Sequence, residues 1–173
     1  HFLLRRQRQM CIRDRTAVLF SAAAAAGIEI TGAPAARVEA MRVYGMELGM
    51  AFQIMDDALD YTASAEQMGK NAGDDFADQK ITLPTILAWQ DGDAEERAFW
   101  QRTLGEADFA EDDLERAQAL LAAHDAVNRS VAVAHDHAVK AGAALAPFIG
   151  NERTAPLARA LADAALFAAR RAS

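Results

Sequence analysis

Alanine fills 42 of the 173 positions and recurs through most of the chain after Thr16, whereas proline occurs only 4 times. Alanine loses no side-chain entropy in a helix, and proline breaks one. A chain of this kind is expected to be helical nearly throughout. No segment alternates β-branched and polar residues with a period of two, as a half-buried strand requires, and no repeat of fixed length is visible. The expected fold class is all-α: antiparallel helices with short connections, in a chain long enough for one domain with a core.

The helix signals divide the chain. Thr16 to Ile30 is alanine-rich and ends at Gly32 and Pro34. The longest candidate helix runs from about Ala35 to Tyr61, with Val38, Met41, Met46, Ala51, Phe52, Met55 and Leu59 at mostly three- to five-residue steps. Thr62 to Lys80 is polar and reads as a loop without a core of its own; long loops in compact domains tend to be functional or disordered. Thr82 is expected to cap a helix that tolerates Pro84 in its first turn and ends near Gln90. Asp93 is expected to cap another ending at Gly105, helped by Glu95 and Glu96 at its positive end. Further helices are expected over about 111–126, then from a cap at Asn128 to about Ala146 with Pro147 and Gly150 as the break, then over about 154–170.

Residues 1–15 stand apart. Five arginines and one aspartate give them a net charge of +4 against −7 for the whole chain, and the lone cysteine, Cys11, lies among them. The apolar run Phe2-Leu3-Leu4 is too short for a signal peptide. Met10 to Arg15 resembles a translated sequencing adapter, so 1–15 is read as a non-native or disordered segment and 16–173 as the domain. The acidic balance disfavours a nucleic-acid partner. One cysteine excludes a disulfide framework and a multi-cysteine zinc site. No run of about 18 apolar residues marks a membrane span, and a cytoplasmic location is expected.

The chemistry concentrates between Gly45 and Thr85. Asp56 and Asp60 are four apart and share a helix face, Gln53 lies three before Asp56, Asp57 is adjacent, and Phe52, Ile54, Met55 and Leu59 surround them. Carboxylates at i,i+4 repel, so three acids in five residues of an apolar helix suggest a compensating cation. Magnesium suits carboxylate oxygens and commonly bridges to phosphate; no His or Cys nearby offers a transition-metal set. Downstream, Gly69-Lys70-Asn71-Ala72-Gly73-Asp74-Asp75 and Lys80-Ile81-Thr82-Leu83-Pro84 bring two lysines beside the acids, as a diphosphate clamp would. Three acids on a helix are ordinarily a solvated face and a Lys-Asp loop is ordinarily just exposed; the two together, in this order, are more specific.

Gly49 to Tyr61 resembles the second aspartate-rich motif of the trans-isoprenyl diphosphate synthases, and Gly69-Lys70, Gly73-Asp74-Asp75-Phe76 and Lys80 to Pro84 resemble that family's next block. Thr16 to Ala23 is similar to an earlier block that normally opens with lysine, a position held here by Arg15. Within the family the pattern is most like long-chain bacterial octaprenyl and decaprenyl synthases. The resemblance implies the C-terminal portion of the isoprenoid synthase fold. It also implies magnesium-assisted condensation of isopentenyl diphosphate onto an allylic diphosphate, in an enzyme that is usually a homodimer. By this resemblance Asp56, Asp57, Asp60 and Asp74 would serve the metal, directly or through water. Arg15, Thr16, Gln53, Lys70 and Lys80 would face the diphosphate, with Asp56, Asp57, Asp60 and Lys70 as the catalytic set. The Asp-Asp-x-x-Asp spacing is assigned to 56–60 alone, so the family's first motif counts as absent and the chain is expected to be an inactive fragment. A non-catalytic regulatory subunit is the alternative; a terpene cyclase fits less well, lacking the usual Asn and Ser/Thr metal ligands.

Other residues are given ordinary roles. His124, His135 and His137 are read as surface or partly buried, the methionines as core, and Trp89, Phe99, Trp100 and Phe109 as packing anchors. Glu111-Asp112-Asp113 is read as a complement to a helix dipole, as are Arg170 and Arg171 at a helix end.

Overall fold

The computed structural model describes residues 16–62 and 73–170. Among these the regular elements are helices: α1 Val18–Glu29, α2 Ala35–Leu59, α3 Asp74–Ala77, α4 Leu83–Asp91, α5 Ala94–Trp100, α6 Asp113–Ala123, α7 Ala126–Ala144, α8 Ala146–Ile149 and α9 Ala155–Ala168, with a π-helical turn at Gln101–Gly105. None is long and apolar enough to cross a membrane. The described residues form two units, one of 16–55 with 133–170 and one of 56–62 with 73–132.

In the first unit small residues carry the packing. Ala17, Ala25, Ala51, Ala134, Ala138, Ala141, Ala158 and Ala165 are all buried. Ala134, Ala138 and Ala141 recur at steps of four and three and so make one apolar stripe on α7. Helix α1 ends at Glu29 before a turn that closes on Gly32, whose φ of 72° suits glycine. It crosses α2 where Gly45 and Gly49 carry no side chain: a Cβ on Gly45 would lie 2.7 Å from the Ser21 Cα, and one on Gly49 2.6 Å from the Ala17 Cα. Ser21 Oγ donates to the Arg42 carbonyl at 2.8 Å, so this hydroxyl is satisfied inside the crossing. Tyr44 Oη donates to Leu161 O at 3.0 Å, joining α2 to α9, and its burial pushes the phenol up. His137 Nδ1 lies 2.6 Å from Glu47 Oε2 and joins α7 to α2.

The second unit packs on large side chains. Tyr61, Phe76, Leu87, Phe99, Trp100, Leu104 and Leu121 form its core with Ala88, Ala117 and Ala126. The Phe76 ring meets Trp100 and Phe109 edge-on, at 6.4 and 5.4 Å between centroids. Local caps fix the helix starts. Thr82 N–H donates to Thr85 Oγ1 at 3.0 Å before α4, and Pro84 sits in its first turn. Asp93 Oδ1 accepts from the N–H groups of Glu95 and Glu96, and Glu96 returns a carboxylate to Asp93 N–H, a capping box.

Three expectations need correction. The stretch 62–80 is not without a core: Phe76, on α3, is buried among the aromatics. Asn128 does not cap α7; the helix starts at Ala126, after Asp125 turns the chain at φ 50°, and Asn128 Nδ2 donates back to Asp125 Oδ1. Pro147 does not break a helix but opens α8, where its missing N–H costs nothing. Asp113 lies in the first turn of α6, where a dipole complement belongs, and has a further role. It is buried, takes a two-pronged hydrogen bond from Arg102 at 2.9 and 2.7 Å, and accepts Ala110 N–H. The Arg102 guanidinium holds its carboxyl below the usual carboxylate range.

Candidate active site

The aspartates at the end of α2 differ in setting. Asp56 is partly exposed, while Asp57 and Asp60 are buried. Asp56 and Asp57 stay helical because Ala51, Ile54, Met55 and Ala58 around them make an apolar face that buries almost completely. Tertiary packing therefore outweighs the like-charge repulsion that an isolated helix would feel.

Asp60 is the pivot of the local geometry. Its carbonyl accepts Gly73 N–H at 2.9 Å, and its carboxylate Oδ2 accepts Asp75 N–H at 3.0 Å. These two bonds tie the end of α2 to the start of α3. Burial pushes the Asp60 carboxyl up to about 6; the Asp75 N–H works against that, and the Asp75 and Asp74 carboxylates add to it. Gly73 sits at φ 86°, and a Cβ there would run into the Leu114 side chain, so the turn requires glycine on two counts.

From this turn the network reaches Lys80. Lys80 N–H donates to the Asp75 carbonyl at 2.8 Å. Its ammonium donates to Asp75 Oδ1 at 2.8 Å and lies 3.1 Å from Asp78 Oδ2, and both contacts raise its pKa. The Lys80 side chain keeps 55% of its surface exposed, so these ion pairs contribute little stability but leave the amine reachable. Asp75 and Asp78 belong to a second Asp-Asp-x-x-Asp, Asp74-Asp75-Phe76-Ala77-Asp78. The assignment of that spacing to 56–60 alone is therefore wrong. The second run cradles an ammonium with two of its carboxylates and turns Phe76 into the core.

The other expected site residues fall as follows. Thr16 Oγ1 donates to Gln53 Oε1 at 2.8 Å, so the amide oxygen is engaged by the hydroxyl. Asp74 opens α3 and is exposed. Arg15, Gly69, Lys70 and Arg171 lie outside the described residues. Asp75 and Asp78 were not among the expected site residues; the adjacency of Asp75 to Asp74 was the available signal.

Among the described residues no group of three or more His, Cys, Asp and Glu side chains converges as a closed metal cage. Magnesium does not need one, since it is usually held by one or two carboxylates together with waters and substrate phosphates. The donor chemistry at Asp56, a carboxylate on a partly exposed helix end with the buried Asp57 beside it, fits that mode.

Comparison with known proteins places the chain in a family. The family model described as polyprenyl synthetase matches residues 5–121. Octaprenyl diphosphate synthase of Haemophilus influenzae is 35% identical over 130 residues, covering 75% of this chain and 39% of the relative. A solved polyprenyl synthase from Caulobacter crescentus, complexed with calcium and isoprenyl diphosphate, superimposes with a TM-score of 0.84 at 43% identity, covering 94% of this chain and 48% of that one. A decaprenyl diphosphate synthase from Rhodobacter capsulatus gives a TM-score of 0.83 at 41% identity, covering 94% and 49%. The chain thus spans about half the length of these solved structures, or less than half for the curated relative. It belongs to the polyprenyl synthetase family, with that family's all-α isoprenoid synthase fold.

Proposed function

We propose that this chain carries the second aspartate-rich half of a long-chain polyprenyl diphosphate synthase site. The observation that carries the reading is the pairing of the acidic end of α2 with a lysine-bearing turn latched onto it through Asp60 and Asp75. In this reading Asp56, the more exposed of the adjacent pair, holds magnesium, with Asp57 beside it. When bound, magnesium neutralises negative charge developing on the departing diphosphate.

The chain's own residues do the rest. Lys80 and Lys70 offer ammonium donors to the diphosphate oxygens of an allylic substrate. Gln53, whose amide oxygen accepts from the Thr16 hydroxyl, offers a carboxamide to the substrate. The reaction they would serve breaks the allylic C–O bond. The cation formed adds to the double bond of isopentenyl diphosphate, and a proton is lost from the adduct. Residues that bind isopentenyl diphosphate and a first aspartate-rich motif are assigned to a part of the fold that these 173 residues do not include, so turnover by this chain alone is not expected.

The test is magnesium-dependent binding of an allylic diphosphate to the chain, followed by calorimetry. Asp56→Ala should weaken it by roughly tenfold or more, the scale on which metal sites respond to loss of supporting groups. Unchanged binding would remove Asp56 from the metal. Robust elongation of substrate by the chain alone would show that no further motif is needed.

A further inference from the structure

Three observations single out Asp60 among the motif acids. It is 7% exposed. Its carboxylate already accepts a backbone N–H, from Asp75. Its main chain accepts a second, from Gly73, two residues earlier in the same turn. Asp75 in turn holds Lys80 by both backbone and side chain. Each link is a hydrogen bond within the second unit, and the chain of links runs Asp60, Asp75, Lys80.

We propose that Asp60 is a positioning residue rather than a metal ligand: its buried carboxylate latches the Gly73–Asp75 turn onto the end of α2 and so sets where the Lys80 ammonium is presented. This deepens the proposed function and rests on it for the role of Lys80, whereas the latch itself stands on the hydrogen bonds alone. The distinction between latch and ligand is chemical. A latch needs an acceptor oxygen at that place, which asparagine also supplies. A ligand to a hard dication needs the carboxylate charge.

Asp60→Asn, Asp60→Ala and Asp56→Asn separate the two. The first measurement is amide hydrogen exchange at Asp75, by NMR on the labelled 173-residue chain without metal. Asp60→Ala should accelerate that exchange by roughly tenfold or more, Asp60→Asn should restore it to within about threefold of the wild type, and Asp56→Asn should not change it. The second is magnesium-dependent binding of inorganic pyrophosphate by calorimetry. There too asparagine at 60 should recover most of what alanine loses, while Asp56→Asn should not bind.

The proposal is overturned if Asp60→Asn loses pyrophosphate as completely as Asp56→Asn while Asp75 stays protected, because Asp60 is then a ligand. It is also overturned if Asp60→Ala leaves Asp75 exchange unchanged. Should Asp60→Ala fail to fold, an Asp75 amide exchanging at the rate of an unstructured peptide in the wild type overturns the latch without any variant, and a protected one supports it. A wild-type chain that binds no pyrophosphate with magnesium would sink the metal reading of Asp56, and the exchange data would still decide the latch.

Discussion

In the first unit α1 meets α2 where Gly45 and Gly49 offer bare backbone; in the second, Phe76, Phe99, Trp100 and Leu121 fill the interior with bulk. The first arrangement brings main chains together and puts Thr16 within hydrogen-bond reach of Gln53. The second builds a platform under the turn that carries Asp75, with Phe76 as the next residue in sequence. Packing rests on the absence of side chains in the first unit and on their size in the second. The two modes should fail under opposite substitutions, added volume in the first unit and removed volume in the second.

The largest effect is expected from removing volume. Phe76→Ala takes away a ring that is 3% exposed and meets two aromatic edges, and should destabilise the second unit by about 3–5 kcal/mol. Urea unfolding followed by the fluorescence of Trp89 and Trp100, both in that unit, reads it. Phe76→Leu should recover part of the loss. A cost below about 1 kcal/mol would mean that the cavity collapses freely and that aromatic bulk is not what supports the turn.

That same phenylalanine shows how far the sequence could be read. Helices, helix caps and the aspartate-rich motif were legible because each is written in residues that are neighbours in the chain: Asp93 with Glu95 and Glu96, Thr82 with Pro84. Phe76 was hidden because one ring among glycines, lysines and aspartates does not change the polar average of 62–80. Asp113 was hidden because Arg102 lies 11 positions away and reaches it only through the π-helical turn. The start of α7 was misplaced because Asp125 adopts a left-handed conformation usual for glycine, asparagine or aspartate, and nothing in its neighbours announces it. The Asp60 latch joins residues 15 apart across a stretch whose composition shows no closure.

Adding volume comes next. Gly45→Ala drives a Cβ against the Phe20 carbonyl and the Ser21 Cα, so the helices must part, at about 1–3 kcal/mol. Gly27→Ala, on α1 with nothing within 4 Å of the added atom, is the control; it should stabilise by roughly 0.5–1 kcal/mol because alanine is the better helix former. Thermal unfolding followed by circular dichroism compares the pair. Equal effects from the two would show that the crossing tolerates side chains and would blur the contrast between the units.

The smallest effect near neutral pH, and the one that sharpens the second unit further, comes from Asp113. Arg102 holds its folded pKa below 3.8, the ordinary value for an aspartate. Between those two values the unfolded chain binds more protons than the folded one, so stability rises with pH there. The contribution is complete above about pH 4 and is lost as pH falls through the folded pKa. Asp60 titrates in the opposite sense: its folded value of about 6 exceeds 3.8, so its contribution is present below 3.8 and lost as pH rises through 6. Because wild type and Asp113→Asn share Asp60, the difference between their urea-unfolding free energies cancels it. That difference should be flat from pH 5 to 7 and should shrink as the pH is lowered below about 4. A difference that stays constant down to pH 2.5 would mean that Arg102 does not bias the Asp113 carboxyl, and that the second unit owes its acid response to other groups.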